Sequence, residues 1–301
     1  MKIIVLTGPT ATGKSDLSLK IADNFNCEIV NSDSMQVYKY FDIGTAKPYK
    51  KILKKYPHHL LSYVEPDDYS YSAMRFVKDA DKKIREIVEK EKIPLIVGGT
   101  GLYIKCLLFG IFQEENEDKN FRNILKKNIE KYGSEYISTK LKIIDFKSWE
   151  KINKNDSYRM VRALDFFYRT GELISAKRDE HRFAKKRYNY LKIAIKFDRE
   201  KLYEKINQRV DRMIKAGLIE ETENLIKRGY ENSRPMQGIG YREVKDYLKG
   251  KIKKKQAIEL IKQNTRKYAK RQITWFKKEN DIIWVNNFNE AKNIIDKFSG
   301  R

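Results

Sequence analysis

No run of about eighteen apolar residues occurs anywhere in the 301-residue chain, which excludes a membrane-spanning helix. The N-terminus enters an apolar segment directly, without a charged-then-apolar leader, so a soluble protein working in the cytoplasm is expected. Cysteine is scarce. Cys27 and Cys106 lie far apart with no C-x-x-C spacing, so neither a disulfide framework nor a cysteine zinc site is expected, and both read as packing residues. The three histidines, His58, His59 and His181, show no metal-ligand spacing and read as loop or surface residues. Acidic residues are also short, 41 Asp and Glu against 64 Lys and Arg, for a net charge of +23. That balance is the footprint of a phosphate-rich partner. The chain is crowded with Lys, Ile, Asn and Tyr at once, a bias that AT-rich coding gives any protein, so part of the lysine excess is compositional and its placement matters more than its total.

What is present in quantity is apolar: 41% of residues are hydrophobic, enough for a packed core. A chain of this length predicts an α/β core carrying a second module. Gly8-Pro9-Thr10-Ala11-Thr12-Gly13-Lys14-Ser15 matches the phosphate-loop pattern G-x-x-x-x-G-K-[ST] in full. Its flanks fit, because Lys2-Ile3-Ile4-Val5-Leu6 has strand character and Leu17, Leu19, Ile21, Ala22 and Phe25 recur at helical spacing. In that geometry backbone N–H groups close on an anion, Lys14 reaches its terminal phosphates and Ser15 can hold a phosphate-bound Mg²⁺. The loop alone does not say whether the anion is ATP or another diphosphate.

Cys27-Glu28-Ile29-Val30-Asn31 reads as a second strand, delivering Asp33 to the C-terminal edge of a parallel sheet, where ligands sit. Three readings of Asp33 stand side by side: a magnesium ligand, a general base, or a turn residue capping a short helix at Tyr38. Residues 42–48 form a loop, 57–64 a loop entering a strand, and 70–90 a helix. Ile93-Pro94-Leu95-Ile96-Val97 is a buried strand ending in Gly98-Gly99-Thr100-Gly101, where a nucleotide hydrolase would carry an acid; the glycines allow either close approach to a ligand or a simple tight turn. Residues 112–187 show helical periodicity and no strand pattern, which predicts an inserted all-helical module in a core formed by 1–111 and 188–301. Arg and Tyr interleave at Tyr158-Arg159-Met160-Val161-Arg162 and in 185–190, as at nucleic-acid contacts or on solvated helix faces. Leu191 to Phe197 alternates as a returning strand, Asp198 caps a helix over 199–216, and Gly217 ends it, leaving Arg209 and Arg212 off the buried stripe. Gly238-Ile239-Gly240-Tyr241-Arg242 is a glycine-bearing turn before a helix. Between 249 and 278 twelve Lys or Arg face one acid, Glu259, with Leu260, Ile261, Tyr268, Trp275 and Phe276 for packing, which favours a nucleic-acid backbone contact.

Taken together, the phosphate loop, Ser32-Asp33-Ser34-Met35-Gln36-Val37-Tyr38, Asp42-Ile43-Gly44-Thr45-Ala46-Lys47-Pro48, Val97 to Tyr103, Gly238 to Arg242, and Thr265 to Phe276 with its Lys270-Arg271-Gln272 resemble the tRNA dimethylallyltransferases. Thr12 stands where that family commonly has Ser, and Met35 where bacterial members commonly have Arg. No Cys and His extension follows Arg301, which resembles the bacterial form. The resemblance implies a P-loop NTPase-like parallel sheet and transfer of a dimethylallyl group from dimethylallyl diphosphate to the N6 amine of the adenosine 3′ of the anticodon, with Mg²⁺. It assigns diphosphate binding to Gly8 through Ser15 and Arg209, with Thr10 and Arg209 facing the leaving group. It assigns Asp33 the base role. It also assigns tRNA contacts to Asp33, Ser34, Met35, Gln36, Thr100, Arg122, Tyr158, Arg159, Met160, Val161, Arg162, Gln237, Gly238, Ile239, Gly240, Tyr241, Arg242, Lys270 and Arg271. A monomer is the expectation, since no coiled-coil seam is present. A small-molecule kinase and an RNA-dependent ATPase are the rival readings.

Overall fold

A computed structural model describes residues 1–111, 118–181 and 185–300. The expected module boundary at 112 and residue 301 lie outside these, as does the His181 side chain. The chain divides into two compact units, Met1–Leu108 with Lys186–Arg301, and Phe109–Lys185.

The larger unit opens with β1 (Lys2–Thr7), α1 (Lys14–Phe25), β2 (Cys27–Asn31), α2 (Lys50–Lys55), β3 (His58–His59), α3 (Ala73–Glu89), β4 (Ile93–Val97) and α4 (Gly101–Phe109). The helical unit follows with α5 (Lys119–Tyr132), α6 (Ser134–Ile144), α7 (Phe146–Lys151), α8 (Ser157–Thr170) and α9 (Ile174–His181). The chain then returns with β5 (Asn189–Ile195), α10 (Arg199–Lys215), α11 (Leu218–Lys227), α12 (Tyr241–Leu248), α13 (Lys254–Phe276), β6 (Ile282–Val285) and α14 (Phe288–Ser299).

Among the described residues the strands form one six-stranded sheet in the order β3-β2-β4-β1-β5-β6, every pairing parallel. The central strands are continuous apolar runs because helices cover both faces. Ile4, Leu6, Ile29, Leu95 and Ile193 pack on Leu17, Ile21 and Phe25 of α1 and on Ala291 and Ile295 of α14. α3 buries Phe76, Val77, Ala80, Ile84 and Ile87. The connections after β1, β2 and β4 all leave at the C-terminal edge, so the phosphate loop, Asp33 and Gly98–Gly99 emerge where parallel sheets bind ligands.

Local chemistry moves several boundaries. Ser72, in extended backbone, caps α3 by accepting from Arg75 N, so the helix starts at Ala73 while Ser70 turns back to Asp68. Asp198 caps α10 as expected, and Gly217 at φ +99° takes the left-handed conformation after it and begins α11. No helix forms at Tyr38: residues 34–37 make a hydrogen-bonded turn, and Tyr38 pairs with Val64 in an isolated parallel bridge. Arg187 and Tyr188 both bond Asp81, which makes them structural pins rather than a nucleic-acid contact.

In the helical unit Leu125, Ile137, Leu141, Met160, Leu164, Phe166 and Ile174 share one core. Asp118, Asp145 and Asp156 cap α5, α7 and α8. Buried Asp145 also accepts from Ser148 Oγ and Ser175 N, tying α7 to α9. Among the described residues no helix is long and apolar enough to cross a membrane.

Candidate active site

The phosphate loop curls because Gly8, Ala11 and Gly13 hold positive φ, +125°, +65° and +93°. At Ala11 a side chain tolerates the left-handed region at roughly 1–2 kcal/mol, a strain typical of ligand sites. Buried Thr12 donates its hydroxyl to Pro9 O at 2.9 Å and so fixes the loop from within. Lys14 arches over it, Nζ donating to Gly8 O (2.9 Å) and Pro9 O (2.6 Å). Burial pushes its amine down to about 7, Arg209's positive charge adds to that, and Asp33 opposes it. Ser15 stands exposed at the head of α1, its hydroxyl without a partner among the described residues.

Asp33 Oδ1 accepts from Met35 N (2.8 Å) and Gln36 N (3.3 Å), which makes it the turn residue of that edge. Its Oδ2 has no hydrogen bond among the described residues. The carboxylate's field reaches Lys14, Arg209, Tyr268 and Tyr103, so these groups form one electrostatic cluster. Arg209, carried by α10, has no hydrogen-bond or ion-pair partner among the described residues; burial lowers its pKa while Asp33 pulls the other way. A guanidinium and an ammonium facing one carboxylate leave a surplus of positive charge, the condition an anion would satisfy.

The glycines after β4 make room for protein atoms: a Cβ on Gly98 would lie 2.3 Å from Ser32 Oγ and 2.4 Å from Ser32 O, and one on Gly99 2.3 Å from Gln272 Nε2. Thr100 Oγ1 accepts from Ser34 N at 3.1 Å, and Tyr268 lies nearby. The 42–48 loop is held from outside: the amides of Asp42, Ile43 and Gly44 donate to Glu221, whose Oε1 also accepts from Tyr241 Oη at 2.6 Å. Lys47 closes that loop on Asp42 at 2.8 Å, and Gln36 Nε2 reaches Thr45 O at 3.0 Å. The loop therefore braces the Asp33 turn.

Of the predicted tRNA residues in the larger unit, Asp33, Ser34, Met35, Gln36 and Thr100 come together, and Gly238 joins them, since a Cβ there would fall 2.4 Å from Met35 Cε. Gln237 and Arg242 are exposed, Ile239 is half-buried and Gly240 is buried at the cap of α12. Lys270 and Arg271, with Lys267 and Thr274, line an open depression on α13. Other basic residues of that helix face inward, Arg266 to Asn207 and Lys262 to Asp211. In the helical unit Tyr158 and Arg159 are exposed, and Arg162 is half-buried.

Four side chains are corrected. Tyr241 is fully buried with its hydroxyl on Glu221, and Met160 and Val161 belong to the helical core, so none offers its side chain to tRNA. Arg122 Nε and Nη2 both bond fully buried Asp165, at 2.8 and 2.7 Å, which commits that guanidinium to structure. Sequence reasoning gave no role to Gln272 or Glu221 and took Tyr268 for packing. Gln272 stood inside a recognised run, so its place there was a signal that went unread.

Comparison with known proteins adds a separate line of support. A family model described as IPP transferase matches residues 36–279, beginning just past Asp33. A tRNA dimethylallyltransferase of Acetivibrio thermocellus is 43% identical over 97% of this chain and 95% of its own. One from a Thermoanaerobacter species is 45% identical over 100% of this chain and 98% of its own. Among solved structures, a tRNA delta(2)-isopentenylpyrophosphate transferase of Staphylococcus epidermidis superposes with a TM-score of 0.72 at 39% identity, covering 98% of this chain and 99% of that one. A eukaryotic dimethylallyltransferase acting on tRNA superposes at 0.84 with 29% identity, covering 100% of this chain and 80% of that one.

Proposed function

The chain belongs to the IPP transferase family, and from that premise we propose that it moves a dimethylallyl group from dimethylallyl diphosphate to the N6 amine of the adenosine 3′ of a tRNA anticodon, releasing diphosphate. The observation that carries this reading is one sheet edge that joins an anion loop to a carboxylate with one unengaged oxygen. An allylic diphosphate leaves as its C–O bond loosens, so negative charge builds on the diphosphate oxygens. The loop amides, the head of α1, Lys14 and Arg209 are fixed in advance to accept that charge. Lys14 must exchange its bonds to Gly8 O and Pro9 O for phosphate oxygens, and the Thr10 hydroxyl is placed in the loop to donate to the same group. The adenine amine is a weak nucleophile because its lone pair is shared with the ring, so Asp33 Oδ2 takes the N6 proton as the new bond forms.

The donor set fits Mg²⁺. Among the described residues no cluster of three or more His, Cys, Asp or Glu could hold a metal by itself, whereas the Ser15 hydroxyl at the loop suits an ion that keeps its waters and binds mainly through phosphates. Bound there, Mg²⁺ would supply further charge for the leaving diphosphate.

For the target base to reach a diphosphate loop it must leave the anticodon stack. Ser34, Gln36, Thr100, Gln237 to Gly240, Arg242, Lys270 and Arg271 are the proposed contacts on the larger unit, and Tyr158, Arg159 and Arg162 on the helical unit. One chain acting on one anticodon stem-loop in the cytoplasm is the proposed working unit. The test is incubation of the protein and Mg²⁺ with unmodified tRNA and either dimethylallyl diphosphate or ATP, followed by nucleoside mass spectrometry. A five-carbon gain on adenosine with the prenyl donor alone is expected; ATP consumption without that gain would favour nucleotide chemistry.

A further inference from the structure

The phosphate loop is held on its open side by a residue that lies far from it in sequence. Gln272, only 6% exposed on α13, accepts from Thr10 N at 2.9 Å and donates Nε2 to Gly99 O at 2.9 Å. Because one partner is a backbone N–H and the other a backbone carbonyl, the amide's orientation is fixed by its neighbours. Among side chains of this length only glutamine supplies the acceptor and the donor together. Gly99 is shaped for the contact, since any Cβ there would fall 2.3 Å from Nε2.

The bridge adds a hydrogen-bonded tie between pieces that also touch by packing, since Ala11 packs against the cluster of Leu202, Ile206 and Ala269 and a Cβ on Gly99 would lie 3.4 Å from Gly8 O. α13 is seated on α10 through Ala269 packing on Leu202 and Ile206, and through Arg266 on Asn207 at 2.6 Å. α10 is the helix that carries Arg209. One turn further along α13, Trp275 lies against Gly101, so two side chains of one helix face meet the segment after β4. Gln272 is the one of the two that hydrogen-bonds the phosphate loop.

We propose that Gln272 is the positioning residue of the diphosphate site: it fixes the Thr10 segment of the loop against the turn bearing Thr100, so that loop, acceptor turn and Arg209 helix keep one spacing. The inference rests on reading the loop as a diphosphate site. Without the bridge, half-buried Thr10 N and buried Gly99 O lose their partners, and the loop must shift to satisfy them.

The test uses the whole protein, with inorganic diphosphate and Mg²⁺ as the binding probe and dimethylallyl diphosphate kinetics beside it. Gln272→Ala should weaken diphosphate binding roughly tenfold, the size of one to two lost hydrogen bonds, and raise KM for the donor alike. It should leave tRNA affinity within twofold and change kcat at saturating donor by less than threefold. Gly99→Ala, which displaces the Nε2 end without touching Gln272 itself, should reproduce the effect, and the double variant should be no worse than Gln272→Ala alone. Diphosphate binding within twofold of wild type in folded Gln272→Ala would overturn the inference, as would additive losses in the double variant. A wild-type protein that fails to bind diphosphate would instead overturn the reading of the loop on which it rests.

Discussion

Asp33 engages one carboxylate oxygen in its turn, and the proposed base role rests on the other. Oδ1 accepts the amides of Met35 and Gln36, while Oδ2 is the oxygen available to take a proton. Asp33→Asn can keep the Oδ1 acceptor and removes the base; Asp33→Ala removes both. General-base catalysis is worth about 10²–10⁴-fold, or about 2.7–5.4 kcal/mol of barrier, so both variants should lose at least about a hundredfold in turnover. Loss of a side-chain cap on two turn amides costs about 1 kcal/mol, which in a domain of this size lowers Tm by roughly 2–4 °C, and only Asp33→Ala should show it. Single-turnover prenylation with tRNA and donor both saturating isolates the chemical step, and thermal unfolding of the same preparations isolates the turn. Asn at position 33 with more than a tenth of wild-type turnover would refute the base role. Equal Tm for the two variants would refute the capping role, whatever the kinetics.

Lys270→Ala with Arg271→Ala should weaken tRNA binding and reduce the slope of log affinity against log salt by about two, read by filter binding from 50 to 200 mM salt; an unchanged slope would mean that these side chains do not meet phosphates. Asp165→Ala leaves Arg122 and Arg169 facing a fully buried gap and should destabilise the helical unit by about 3–5 kcal/mol, whereas Arg122→Lys should leave the salt slope of tRNA binding unaltered; unfolding in urea and the same binding assay check the pair. Glu28 supplies a pH dependence. Burial pushes its carboxyl up, but hydrogen bonds from Lys92 and His59 outweigh that and hold it below the usual glutamate range. Its contribution is therefore present in full above the unfolded value near 4.5 and is lost as pH falls through the lower folded value. Glu28→Gln should cost about 2 kcal/mol at pH 6, and the gap from wild type should close as denaturant midpoints are followed down to pH 3; a gap independent of pH would mean that the ion pair is not its source.

The strand, glycine loop and helix at the N-terminus were legible because every constraint on them is local: an apolar run, glycines at fixed spacing, and an amphipathic repeat. Magnesium ligand, general base and turn residue stood as alternatives for Asp33 in the sequence, and the turn uses only one of the carboxylate's two oxygens. The supports of the site were illegible for a different reason. Glu221 meets Ile43 across 178 residues and Gln272 meets Thr10 across 262, so each contact exists only after the sheet has brought distant loops to one edge. Met160, Val161 and Leu164 fall on the buried side of α8, and assigning Met160 and Val161 to tRNA ignored the face they occupy.

The basic C-terminal helix shows how far a charge count goes. Its excess of lysine and arginine pointed to nucleic acid, but the helix has to pack against α10, and side chains on that side serve the packing: Lys262 pairs with Asp211 at 2.9 Å and Arg266 with Asn207. An exposed group on another side is Lys267, Lys270 and Arg271, set around Tyr268, whose ring lies 5.7 Å from the Arg271 guanidinium carbon. One helix thus carries an exposed basic group on one side, and on another Gln272, which bonds the phosphate loop. On the proposed reading, an RNA backbone held on the first side is held at a fixed distance from Asp33, and that distance, more than the total charge, is what the helix contributes to the reaction.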